Sequence, residues 1–272
     1  MSILDEIVAH KTDEVRHCRE RVPVESFPPR SGKVRDFYGA LSRRGLQVIA
    51  EVKRKSPSTG ELCMDLDPAD LARTYQEAGA AAISVLTDEK HFGGRLDHLA
   101  AVCAAVDIPV LRKDFIISEY QVRESFHSGA DAILLIADAL RPGQLEELYH
   151  LARSLGLDVL VEGYSDEALG RIHRLAPRVA GINSRNLTTM QVDLENMLQR
   201  RPLLPEGALH VAESGVTDPA DLARVWRAGF DAALIGTALL AEGDPGETLR
   251  RFLALGVTGS GSPGITPVEA EG

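Results

Sequence analysis

Residue types suited to proton chemistry recur where short apolar runs end. Glu51 and Lys53 stand two apart at the close of residues 48–53, so an extended chain puts them on one face. Ile49 has the same parity. That face therefore runs from apolar to charged, as on a strand leaving a core for a cleft. A solvated surface strand with a salt-linked face is the blander reading of the same residues. Lys113 ends a second such run and is followed by Asp114 and Phe115. Glu162 follows Asp158-Val-Leu-Val and shares parity with Leu160. Further along, Asn183 and Arg185, then Glu213, Ser214 and Gly215, then Gly236 and Thr237 fall at or just past the ends of three more runs. Two lysines and a carboxylate around one cavity form a set for general acid–base work. Neighbouring ammonium groups are expected to depress each other's pKa toward neutrality, and a carboxylate beyond an apolar wall is a candidate base. Gly215 and Gly236 with Thr237 offer backbone N–H donors to a phosphate, and Ser56 offers a hydroxyl. Taken singly, each charged residue reads as a rim salt bridge and each glycine as a tight turn. Their concentration at one kind of strand end carries the functional reading, because the opposite ends hold mostly Ala, Gly, Asp and Pro. Alternation lets only one of Glu213 and Ser214 point straight inward, and leaves open which.

Groups this far apart in sequence meet only if the elements between them return to one place. Strands are expected at 48–53, 82–86, 109–113, 132–136, 158–162, 179–183, 209–213 and 232–235. Helices are expected at 68–78, 96–106, 119–127, 142–155, 166–175, 194–201, 219–228 and 245–255. The strands are short and apolar, as strands covered by helices should be. Several helices carry Pro near the start and Gly after the end. Eight β–α units at near-even spacing predict a TIM (β/α)8 barrel, in which the C-terminal strand ends share one site. A doubly wound open sheet is disfavoured because no G-x-G-x-x-G follows the first strand. Three helix–turn–strand joints echo one another around Gly79, Gly129 and Gly229 and read as structural. Ahead of the barrel, residues 3–21 form an amphipathic helix on Ile3, Leu4, Ile7, Val8 and Val15, ended by Pro23, Pro28 and Pro29. A second short helix is expected at 37–42. The organisation expected is one barrel domain over 1–256, with 1–45 as an N-terminal helical extension. Residues 257–272, rich in Gly, Ser and Pro, are expected to be a disordered tail.

The 272 residues carry a formal net charge of −10 and are 44% hydrophobic. No broad basic surface for nucleic acid is implied, so an anionic substrate must be held by local donors. Cys18, Cys63 and Cys103 form no C-x-x-C, which fits a reducing compartment. The eight histidines show no metal-ligand spacing; His173 on a helix and His91 near the second strand take no metal or catalytic assignment. No apolar run approaches membrane-spanning length and no signal peptide opens the chain. A cytoplasmic protein is expected, acting as a monomer on a small phosphorylated molecule, with no nucleic-acid or membrane partner.

The motifs IAEVKRKSPSTG, SVLTDEKHFGG, VLRKDFI, LVEG, GINSRNL, VAESGV and LIGTALL, in this order on successive strand ends, resemble those of indole-3-glycerol phosphate synthases. The resemblance covers nearly all of the chain except the tail. It implies a TIM barrel whose N-terminal helical extension lies over the site. The reaction it implies is closure of 1-(2-carboxyphenylamino)-1-deoxyribulose 5-phosphate to indole-3-glycerol phosphate, with loss of carbon dioxide and water. That is a step of tryptophan biosynthesis run without metal or organic cofactor. By motif, Lys113 would be the acid at the ribulose carbonyl and Glu162 the base in dehydration. Lys53 would hold the substrate carboxylate and is the candidate donor of the second proton. Glu51, Asn183, Arg185, Glu213 and Ser214 would complete the polar pocket. Pro57, Phe92, Phe115, Leu134 and Leu187 would enclose the aromatic ring. Ser56, Gly215, Gly236 and Thr237 would take the phosphate. One departure is Gly163, where the family pattern leads one to expect a β-branched residue. Its parity points toward the helices, so looser packing behind Glu162 is expected.

Two other functions fit parts of this pattern. One is a Schiff-base lyase using Lys53 or Lys113 as nucleophile. The other is a non-catalytic phosphosugar-binding barrel, which would have no need of Lys113 together with Glu162.

Overall fold

Strands β1 (Gln47–Val52), β2 (Ala82–Leu86), β3 (Val110–Lys113), β4 (Ala132–Ile136), β5 (Asp158–Gly163), β6 (Val179–Asn183), β7 (Leu209–Glu213) and β8 (Ala232–Ile235) pair in chain order. All pairs are parallel, and β8 closes on β1. This is the expected TIM barrel. The computed structural model describes residues 2–56, 60–61, 66–186, 188–241 and 243–256, with the backbone alone at 56, 60, 61, 255 and 256. The expected tail at 257–272 lies outside the described residues.

Alternation sorts the strand residues into two cores. Ile49, Leu111, Leu134, Leu160, Val211 and Leu234 fill the barrel interior. Val48, Ile83, Ile133, Val161 and Ile235 face outward and pack under the helices. The helices are α1 (Ile3–Arg21), α2 (Phe37–Leu41), α3 (Pro68–Glu77), α4 (Glu89–Phe92), α5 (Leu96–Ala105) and α6 (Glu119–His127). They continue with α7 (Pro142–Ser154), α8 (Asp166–Leu175), α9 (Leu194–Arg200), α10 (Pro219–Arg227), α11 (Thr237–Leu240) and α12 (Pro245–Gly256). Every expected strand and helix is found, to within one residue at each end. Unexpected among the described residues are α4, α11, two 3-10 turns and a pair of two-residue antiparallel strands, Lys55–Ser56 and Gly60–Glu61. All are too short for any periodicity to announce them. The three echoed joints do share a conformation: Gly79, Gly129 and Gly229 follow their helices at φ of 101°, 94° and 89°.

Gly163 has the opposite effect to the one expected. A Cβ there would lie 3.0 Å from Ile172 Cδ1 and 3.1 Å from Ala168 Cβ. The missing side chain lets α8 sit directly against the strand, so packing behind Glu162 is tight.

The N-terminal extension runs from one end of the barrel to the other. Ser2 and Asp5 cap α1 reciprocally. Its buried stripe is Leu4, Ile7 and Lys11. Lys11 bonds to Asp88 and Asp114, both just past the C-terminal ends of strands. The chain then descends. Arg30 donates to the carbonyls of Phe126, Gly129 and Ala130 and, with Arg35, pairs with Asp131 just ahead of β4. Fully buried Phe37 and Leu41 of α2 close the N-terminal end of the barrel, and the Tyr38 N–H donates to Asp158 at the start of β5. No helix among the described residues is long and apolar enough to cross a membrane.

Candidate active site

The odd-numbered strands bring charge to the C-terminal mouth, and the even-numbered ones bring mostly apolar surface and space. From β1, Glu51 Oε1 meets Lys53 Nζ at 2.7 Å. From β3, Lys113 Nζ stands 3.7 Å from Glu162 on β5 and 3.6 Å from Glu213 on β7. Asn183 at the end of β6 donates its amide to Glu162 Oε1 at 3.4 Å and accepts from the Arg185 N–H at 3.0 Å. Such layering by alternate strands is the packing rule of this barrel, here applied to charged side chains. The Lys113 contacts exceed hydrogen-bond length, so Glu162 Oε2 and both Glu213 oxygens keep acceptor capacity beside the cavity.

Charge decides the protonation states. Burial works to lower the Lys113 pKa, but the carboxylates of Glu162, Glu213 and Glu51 outweigh it and raise the value above that of an ordinary lysine. At Lys113 this reverses the expected depression by a neighbouring lysine. Two carboxylates stand 3.7 and 3.6 Å from its ammonium, and Lys53 has Glu51 at 2.7 Å as its own counter-charge. Burial pushes Glu51 up, yet Lys53 and Lys113 more than compensate and hold it below the usual carboxylate range. Glu213 goes the other way. Its burial and the neighbouring Glu162 charge raise it well above normal against the pull of Lys113.

The cavity above these groups has a volume of about 440 Å³. Phe92 and Phe115 flank one side, with ring centroids 6.3 Å apart. Leu134 forms the floor with Ile136 and Leu86. Ser214, Gly215, Gly236 and Thr237, from the loops after β7 and β8, form the opposite rim. Of the inward-pointing question at β7, Glu213 is the buried residue, and Ser214 turns the chain at a φ of 65°. Gly236 precedes α11, and a Cβ on it would lie 2.3 Å from Glu51 Oε1. Thus Glu51, Lys53, Lys113, Glu162, Asn183, Arg185 and Glu213 share one cavity with the rim glycines. The side chain of Ser56, with Pro57 and Leu187, lies outside the described residues.

Sequence reasoning passed over several lining residues. Leu86 and Ile136 were readable: they lie opposite Lys113 and Glu162 in the strand registers. Gly181 was less so. A Cβ on it would fall 2.5 Å from Glu213 Oε1, so glycine on β6 makes room for the β7 carboxylate. Met190 and Val192 reach the cavity through the loop after β6, which the Arg185–Val192 bridge and the Asn186 side chain fold back. No periodicity marks such a loop. His91 pairs with Asp88 at 3.0 Å and does not line the cavity. Among the described residues there is no cluster of His, Cys, Asp and Glu able to hold a metal ion.

A closed parallel barrel with a buried lysine–carboxylate cluster at its C-terminal mouth places this chain in the (β/α)8 class, with its charged groups at the end where such barrels carry their active sites. Among solved structures, a thiamine phosphate pyrophosphorylase from Pyrococcus furiosus superposes with a TM-score of 0.59 at 16% identity, covering 81% of this chain and 97% of that one. An orotidine 5'-phosphate decarboxylase from Pyrococcus horikoshii superposes at 0.58 and 12% identity, covering 77% and 99%. At such identities only the fold is shared. Sequence is more specific. The family model for indole-3-glycerol phosphate synthase matches residues 4–252. A protein of that name from Salinibacter ruber is 46% identical, covering 94% of this chain and 97% of the relative. Another, from a Nocardioides species, is 44% identical over 93% and 98%. The chain belongs to the indole-3-glycerol phosphate synthase family.

Proposed function

We propose that this chain converts 1-(2-carboxyphenylamino)-1-deoxy-D-ribulose 5-phosphate to indole-3-glycerol phosphate, releasing carbon dioxide and water, as a carboxy-lyase of tryptophan biosynthesis. The observation that carries the reading is Lys113 in the wall of the cavity, with its ammonium 3.7 Å from Glu162 and 3.6 Å from Glu213. The substrate phosphate takes the rim of Gly215, Gly236 and Thr237, with Ser56 as the further phosphate ligand that the sequence suggests. Its aromatic ring lies against Phe92, Phe115 and Leu134, and Lys53 holds the ring carboxylate. Ring closure forms a bond from the carboxylate-bearing aryl carbon to ribulose C2. The Lys113 ammonium donates to the C2 oxygen, so the developing alkoxide is neutralised as the bond forms. Carbon dioxide then leaves, and its electron pair restores the aromatic ring. The C2 hydroxyl departs as water with a proton from a lysine, Lys53 being the nearer to the ring carboxylate. Glu162 takes the proton from the methylene carbon beside the nitrogen, which closes the indole double bond. No metal or organic cofactor has a role in these steps.

A Schiff-base lyase needs a neutral amine, and the raised pKa of Lys113 works against one there. The remaining expectations stand with the proposal: a cytoplasmic monomer, one barrel domain over 1–256, and no nucleic-acid partner. Adding the carboxyphenylamino substrate to the purified protein tests the function. Indole fluorescence should grow with stoichiometric release of carbon dioxide; substrate left unchanged would overturn the assignment.

A further inference from the structure

Lys11 stands on the apolar stripe of α1, one turn beyond Ile7, and is 0% exposed. Its ammonium has three carboxylate partners: Asp88 at 2.9 Å, Glu14 at 3.0 Å and Asp114 at 3.1 Å. Glu14 is on the same helix and partly open to solvent. Asp88 and Asp114 are buried and belong to the barrel. Asp88 lies two residues past the end of β2, and Asp114 directly follows Lys113 at the end of β3. Each of the two organises a stretch that carries a cavity aromatic. Asp88 accepts the His91 N–H at 2.8 Å and so caps α4, whose last residue is Phe92. Asp114 accepts the N–H of Phe115 at 2.8 Å and is itself braced by Thr87 at 2.6 Å and Arg112 at 3.0 Å. One ammonium therefore bridges the two supports behind the Phe92 and Phe115 rings.

Adhesion alone does not account for this arrangement. Leu4 and Ile7 already attach α1 by burial, and a buried ion cluster is often replaceable by apolar side chains without loss of stability. What it supplies is a fixed geometry, since the ammonium must satisfy both carboxylates at once.

We propose that Lys11 is a positioning residue for this site: by bridging Asp88 and Asp114 it sets the separation of Phe92 and Phe115, and so fixes the aryl end of the substrate. The inference rests on the function proposed above. Without the ammonium, Asp114 keeps Arg112 and Thr87 and Asp88 keeps His91, but the two buried carboxylates lose the one cation that joins them. They move apart or admit water, and the aromatic clamp opens while the phosphate rim, on the far side of the mouth, keeps its shape.

The test compares Lys11→Met, which keeps length and removes charge, with Asp88→Asn, which keeps the α4 cap and leaves Lys11 on Asp114. Kinetics are read together with affinity for the fluorescent product and for glycerol 3-phosphate, which lacks the ring. Lys11→Met should raise KM about tenfold or more and leave kcat within about threefold. It should weaken product binding and leave glycerol 3-phosphate binding unchanged. Asp88→Asn should shift the same quantities the same way by a smaller factor, and it carries the test if Lys11→Met does not fold. Wild-type KM in a folded variant, a loss confined to kcat, or equal weakening of both ligands would overturn the proposal. Failure of the wild-type protein to turn over the substrate is a separate result and would overturn the function instead.

Discussion

At Lys113 burial and charge pull in opposite directions, and charge prevails. Three carboxylates, Glu51, Glu162 and Glu213, face two ammonium groups, Lys53 and Lys113. The Glu213 pKa is raised, by its burial and the Glu162 charge, against the pull of Lys113. Lys113 is thus a charged ammonium rather than a weakened lysine, as the donor role proposed for it requires. The whole arrangement depends on space as much as on charge, and Gly181 supplies part of it. A methyl group there would reach to 2.5 Å from Glu213 Oε1 and 3.2 Å from Leu160 Cδ1. Gly181→Ala must therefore displace the Glu213 carboxylate, which stands 3.6 Å from Lys113. The expected outcome is a fall in kcat/KM of about tenfold or more, with a destabilisation of about 1–3 kcal/mol in urea unfolding. A variant with unchanged kcat/KM would mean that Glu213 need not hold its position.

Legibility differs by element. Strands and long helices are readable because their apolar period runs over several residues, and β1 and β5 announce their charged ends by parity with Ile49 and Leu160. Lys11 was not readable. Its position on the α1 stripe is that of a core residue, yet its type argues for solvent, and only the carboxylates of two distant strand ends reconcile the two. The same limit explains α4 and the turn at Met190, whose φ is 61°. Both are shaped by side-chain caps, Asp88 for one and Asn186 for the other, that leave no periodic trace. Glu213 was placed in the pocket from its motif, but that it rather than Ser214 points inward depends on where β7 ends. The effect of Gly163 is not legible in sequence, because it is set by what approaches the glycine, here Ile172 and Ala168 of α8.

Over the whole molecule, the extension ties the two ends of the barrel together, and one of its ties is sensitive to acid. Asp114 is buried, which would raise its pKa, but Arg112 and Lys11 outweigh burial and hold it at about 2, below its ordinary 3.8. Folding thus favours the ionised form. The stabilisation, roughly 2 kcal/mol, is fully present above about pH 4 and is lost as pH falls through about 2. Unfolding free energy in urea should fall across that window, and Asp114→Asn should flatten the fall; an equal slope in both proteins would remove Asp114 from the acid response. The central claim is a division of labour in which Lys113 acts on ring closure and Glu162 on the later dehydration. Glu162→Gln keeps the shape and the Asn183 neighbour but removes the base. The direct measurement is a single-turnover reaction of this variant that follows carbon dioxide and indole fluorescence together. The account predicts that carbon dioxide appears first and the fluorescence lags, as a decarboxylated, still hydrated intermediate accumulates. Two signals slowed together, with no lag between them, would contradict it.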